Sequence, residues 1–235
     1  MKRYLFVLFL LTLLTSCEDE IMPSQHTVSI LIDRTDPEGY APSGEFILRA
    51  LPKVHLADGL ELSITNIGDT HYNERQSFLL EKGETGWLAN EDKRRKQYKF
   101  LKKQFADSLT AFNARDYQYI RSDIFRSLAK ELNRLGRKKG KRALWLFSDL
   151  KEHSFFSVYN PKDVYRLAKD PEKVAREFES SIPLVENLSG VTLVIIYKPT
   201  LDDTELFSQL VRLYRTILEP KGGIIKIGIQ NQIRL

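Results

Sequence analysis

Apolar positions along this chain follow two rhythms: short unbroken runs, and stripes at helical spacing. Residues 27–32 are almost continuously β-branched or apolar, with Val28, Ile30, Leu31 and Ile32 at the centre. Such a run reads as a strand covered by helices on both faces. Residues 143–147, 191–197 and 224–229 repeat the pattern and predict three more strands. Residues 60–67 alternate and predict a fifth. Residues 77–80 read as a short strand, an antiparallel edge. Between these runs the period lengthens. Tyr98, Leu101, Phe105, Leu109 and Phe112 fall at helical spacing and predict a helix over 90–113. Ile124, Leu128, Leu132 and Leu135 predict another over 122–135, opened by Ser122 and ended by Gly136 and Gly140 in a basic stretch. Ser43 caps a helix over 44–56 that Pro52 bends or shortens. Helices are also expected over 171–180, begun by Pro171, and over 203–218. Residues 158–170 read as irregular or weakly helical.

Strands alternating with helices predict an α/β fold. The expected architecture is a doubly wound, mostly parallel sheet with right-handed crossovers and helices on both faces. Residues 26–235 are enough for one well-buried domain and too few for two. There is no internal repeat, and nothing after the leader is low-complexity.

The amino terminus carries a separate message. Lys2 and Arg3 precede an apolar run over 4–14, too short for a good membrane span. The run ends in Leu14-Thr15-Ser16-Cys17, which resembles a bacterial lipobox. That resemblance implies a signal peptide over 1–17 and lipidation of Cys17, hence stable attachment to a membrane. Cys17 is the sole cysteine, so no intrachain disulfide can form. Glu18, Asp19 and Glu20 open an acidic linker over 18–25. This acidic run resembles the surface-export signal of Bacteroidota lipoproteins and implies the outer membrane, with cell-surface exposure open; a solvated tether is the plainer reading.

Composition alters this picture little. The formal net charge of +5 falls to +3 without Lys2 and Arg3. Basic residues cluster at 93–103 and 137–142, either as contacts for an acidic surface or as solvated helix faces and a turn. No nucleic-acid motif accompanies them, so they argue little for nucleic acid.

Candidate chemistry gathers at strand ends. Asp33 and Thr35 follow the first apolar run, Ser122 opens a helix, and Asp149, preceded by Ser148, ends another run. In a parallel sheet the carboxyl ends of neighbouring strands share one crevice, where ligands bind. Two carboxylates and two hydroxyls there are hard oxygen donors suited to Mg²⁺ or Mn²⁺. Taken singly, each residue could instead cap a turn or a helix. Their order resembles the von Willebrand factor A family and its metal-ion-dependent adhesion site. That pattern is Asp-x-Ser/Thr-x-Ser after the first strand, a Thr in a later loop, and an Asp after the fourth strand. Asp33 and Thr35 match the first two positions, Ser122 stands at the loop Thr, and Asp149 matches the last Asp. Pro37 stands where the final Ser is expected and brings no side-chain oxygen. The resemblance implies a domain that binds a protein partner through a cation held by Asp33, Thr35, Ser122 and Asp149. The alternative it leaves is a metal-free accessory subunit that meets its partner elsewhere, through a surface such as Phe155 and Phe156.

An enzyme is harder to build. An aspartyl-phosphatase arrangement wants a second Asp two residues after the first, where Thr35 stands. There is no Gly-x-Ser-x-Gly, phosphate-binding glycine loop or zinc-type histidine pair. Among the histidines His26, His55, His71 and His153, only His153 falls near the expected crevice, and it reads as an exposed loop residue. A metal-dependent hydrolase is the remaining enzymatic alternative.

Overall fold

The first strand, β1 (Gln25–Asp33), is buried from His26 to Asp33. A computed structural model describes residues 22–35, 41–68, 73–85, 89–115, 119, 121–197 and 200–228. The leader, Cys17 and Pro37 lie outside the described residues, as do most of the two loops at 36–42 and 68–73. The remaining strands are β2 (Gly59–Ile67), β3 (Arg75–Leu80), β4 (Lys141–Phe147), β5 (Val191–Ile196) and β6 (Ile224–Gly228). They form one sheet in the order β3-β2-β1-β4-β5-β6, parallel except for β3, which pairs antiparallel at the edge. This is the α/β fold, with the doubly wound strand order, that the apolar runs predict.

Alternation along each strand divides the core into two layers. Val28, Ile30 and Ile32 of β1 join Leu60, Leu62, Ile64, Trp145 and Phe147 on one face. Against that face pack α1 (Gly44–Ala50) and α2 (Glu91–Asn113), the latter through Leu101, Phe105, Leu109 and Phe112. Leu31, Leu144, Leu146, Leu193 and Ile195 point to the other face. There they meet α3 (Ile124–Gly136), α4 (Pro161–Lys169), α5 (Pro171–Ser181) and α6 (Thr204–Leu218). Fully burying one such aliphatic side chain contributes about 1.5–3 kcal/mol, so both layers are needed to offset chain entropy.

Three local outcomes sharpen or correct the sequence expectation, each for a physical reason. Helix α1 ends at Ala50, because Leu51, with ψ 144°, is extended before Pro52. The stretch 158–170 contains a full helix, α4. Its cap is Asn160, which accepts from the Lys162 N–H at 3.1 Å, with Pro161 at the first helical position. Asp170 then ends α4 and caps α5, accepting from the Lys173 N–H at 3.0 Å. Helix α3 is capped by Asp123, whose carboxylate accepts the Arg126 N–H at 3.3 Å, so Ser122 is released from capping. Part of the basic clustering is structural too. Arg94 donates to the carbonyls of Leu56, Asp58 and Glu81, and Arg142 to those of Leu135, Gly136, Lys138 and Ser189.

Because the chain leaves β1 toward β2 and returns on its other side as β4, the carboxyl ends of β1 and β4 border one crevice. Ile32 lies opposite Phe147, so Asp33 and Ser148 emerge side by side.

Candidate functional site

Asp33 is the last residue of β1 and is buried. Thr35, two residues on, folds back on it. Its hydroxyl donates to Oδ1 at 2.6 Å and its backbone N–H to the same oxygen at 3.1 Å. The other oxygen, Oδ2, accepts the Ser148 hydroxyl at 2.8 Å and the Ser122 hydroxyl at 3.4 Å. Ser122 is held there by its carbonyl, which accepts the His153 N–H at 2.8 Å. Three segments distant in sequence thus meet on one carboxyl. Among the described residues its partners are all hydroxyl or amide donors, and no lysine or arginine reaches it. Burial pushes the Asp33 carboxyl above its ordinary value; the Thr35 and Ser148 hydrogen bonds oppose this, and the charge of Asp149 adds to it.

Asp149 follows Ser148 and is also buried. It is engaged by Lys151 twice, Oδ1 accepting the backbone N–H at 2.9 Å and Oδ2 lying 3.1 Å from Nζ. The same ammonium lies 3.2 Å from Oδ2 of Asp203, which also accepts the Tyr197 hydroxyl at 2.5 Å. Burial pulls the Lys151 ammonium down, but hydrogen bonding to Asp149 and Asp203 outweighs it and holds the group above its ordinary value. Leu150, between Asp149 and Lys151, is buried with φ +65°, a left-handed conformation rare for a bulky residue. Its N–H is taken by the Ser148 oxygen at 2.9 Å.

Glu152 is the residue that sequence reading missed. It is buried, and Oε2 accepts the Phe125 N–H at 2.9 Å, one of the free donors of the first turn of α3. Oε1 accepts the Ser154 hydroxyl. Burial pushes its carboxyl up to about 8 against these bonds, with help from the charges of Asp123 and Asp33. No periodicity marks a loop carboxyl as inward-facing, so the sequence held no signal for it.

The expected site residues therefore come together in part. Thr35, Ser122 and the unexpected Ser148 converge on Asp33, whereas Asp149 is engaged by Lys151, whose ammonium also reaches Asp203. The donor set fits a hard divalent cation on the Asp33 side, where the Thr35 and Ser122 hydroxyls give their protons to the carboxylate and keep oxygen lone pairs that a cation could take. Among the described residues no group of three or more His, Cys, Asp or Glu could hold a metal ion. The chain matches no protein-family model. No curated protein is significantly similar to it either. The crevice must therefore be read from its own geometry.

Around it, His153 is committed, with Nδ1 2.9 Å from the Ser157 hydroxyl and its ring edge-on to Tyr159. His26 lies at the amino end of β1, its Nε2 3.2 Å from Asp58. The two adjacent phenylalanines part ways. Phe156 is 2% exposed and packs on Phe178, while Phe155 is 48% exposed although its ring also lies edge-on to Phe178 at 4.8 Å. A contact surface here can include Phe155 but not Phe156. Phe156→Ala is expected to cost about 3–5 kcal/mol in urea unfolding. Phe155→Ala should cost less than about 1 kcal/mol. Equal losses would contradict this division.

Proposed function

We propose that this is a lipid-anchored envelope protein whose α/β domain binds a protein partner at the crevice between β1 and β4, through a divalent cation, Mg²⁺ or Mn²⁺. The observation carrying this reading is Asp33, a buried carboxyl approached by hydroxyls from three segments and, among the described residues, by no cation. Buried charges in proteins are paired or hold metal ions. Thr35 and Ser122 would supply hydroxyl oxygens, with Asp33 and Asp149 directly or through water. A cation held there would supply a Lewis-acid contact for an acidic side chain of the partner. The resemblance to the von Willebrand factor A pattern supports the same assignment of residues, although Pro37 leaves that pattern one oxygen short. The activity is binding, not turnover. Millimolar Mn²⁺ should raise the thermal stability of the protein through Asp33, since a ligand that binds only the folded state stabilises it by mass action.

A metal-free accessory role is the second reading. It is favoured by one observation, the Lys151 ammonium already on Asp149.

The anchor is proposed from Cys17 and the apolar leader before it. Among the described residues no helix is long and apolar enough to cross a membrane. Cys17→Ser, expressed in a bacterial host fed labelled palmitate, should lose the label and leave the membrane fraction. Retention of both would remove Cys17 from the proposal. An outer-membrane position with cell-surface exposure is proposed from the acidic run after Cys17.

A further inference from the structure

We propose that Lys151 is a tethered cation that competes with a divalent ion for Asp149, so that it sets the affinity of the crevice. The inference rests on the reading of that crevice as a cation site.

The geometry is that of a charge with two homes. The ammonium lies 3.1 Å from Asp149 and 3.2 Å from Asp203. Asp203 is a built acceptor in its own right. Oδ1 takes the Thr200 N–H at 2.7 Å and Oδ2 takes the Tyr197 hydroxyl at 2.5 Å. Left-handed Leu150 turns the backbone so that Lys151 reaches back over Asp149 with both its N–H and its side chain. A non-glycine residue in that conformation is strained and persists where the surroundings enforce it.

A divalent ion on Asp149 would be repelled by an ammonium that lies 3.1 Å from the same carboxylate, and at a partly buried site this repulsion is poorly screened. Taking Asp149 for the ion therefore requires Lys151 to swing onto Asp203 alone. Asp203 makes this possible, because the ammonium never loses its last carboxylate. The side chain is 28% exposed, which leaves room for the swing. Lys151 thus holds Asp149 neutralised when the crevice is empty, and it lowers the affinity of the crevice for metal.

The test is a MnCl₂ titration of the native protein, Lys151→Met, Lys151→Arg and the double variant Lys151→Met/Asp33→Ala. Free Mn²⁺ is read from its electron paramagnetic resonance signal, with thermal unfolding in parallel. Removing the competing charge should tighten Mn²⁺ binding at least about tenfold in Lys151→Met, while Lys151→Arg stays close to native. The double variant should not bind. Lys151→Gln keeps a donor for Asp149 without the charge and gives the same result if Lys151→Met fails to fold. Equal, Asp33-dependent affinity in native and Lys151→Met proteins overturns the tether and leaves the crevice reading standing. Absence of Asp33-dependent binding in every protein overturns the crevice reading and this inference with it.

Discussion

Asp33→Asn is expected to abolish the response to Mn²⁺ while leaving the protein folded. The carboxyl receives the hydroxyls of Thr35, Ser148 and Ser122 and the backbone N–H of Thr35, so three segments meet on it. Asparagine fills the same volume and keeps one acceptor oxygen, but it carries no charge with which to hold a cation. At 100-fold excess over its dissociation constant, a ligand specific to the folded state adds about 2.7 kcal/mol. That increment should vanish in the variant at every Mn²⁺ concentration. Without metal, the variant should be as stable as the native protein near neutral pH, or more so, because burial already penalises the Asp33 charge. Asp33→Ala removes the acceptor altogether, strands buried hydroxyls and costs stability even without metal. Calorimetric titration and thermal unfolding of both variants separate the two effects. A native-like Mn²⁺ shift in Asp33→Asn would move the metal away from Asp33 and remove the basis for partner binding at this crevice.

The sequence exposed the frame of this site far better than its chemistry. The strand ends carrying Asp33 and Asp149 were legible because β1 and β4 are continuous apolar runs, and a run that must be buried on both faces leaves few alternatives. The stripe Leu101, Phe105, Leu109 and Phe112 was legible for the same reason at helical period. Local competition was harder to read. Ser122 and Asp123 can both cap a helix, and the carboxylate took the cap, which freed the hydroxyl for Asp33. Asn160-Pro161 is the same start signal as Asp170-Pro171, yet the short stripe of α4 hid the first of the two. Ser148 and Lys151 could not be assigned from pattern at all. Their roles depend on the turn at Leu150, and a positive φ at leucine has no signature in sequence. Glu152 was hidden for a related reason, since its partner, the Phe125 N–H, is offered by a helix start 27 residues away.

Glu152 should make the protein less stable as pH rises through neutrality, and Glu152→Gln should remove most of that loss. Its carboxyl is pushed up to about 8 in the folded state, from an ordinary value of 4.5. Between those two values the folded protein keeps a proton that the unfolded chain has released. Stability from this group is therefore full below about pH 4.5, declines across the window and levels off above about pH 8. Each unit within the window costs about 1.4 kcal/mol, so the whole decline is a few kcal/mol. Glutamine is neutral throughout and still offers an oxygen to the Phe125 N–H. Near pH 5 the variant should match the native protein within about 1 kcal/mol, and near pH 8.5 it should be the more stable by a few kcal/mol. Asp33, also raised by burial, contributes a decline of the same sign. The depressed Asp58 and Asp203 contribute the opposite sign on the acid side. All three remain in both proteins, so the difference between the two stability curves isolates Glu152. Urea unfolding at pH 5, 6.5 and 8.5 supplies those curves, and parallel curves would show that Glu152 is ionised in the folded protein across the range. A neutral Glu152 also spares the cluster a third negative charge beside Asp33 and Asp123, both of which act on it electrostatically.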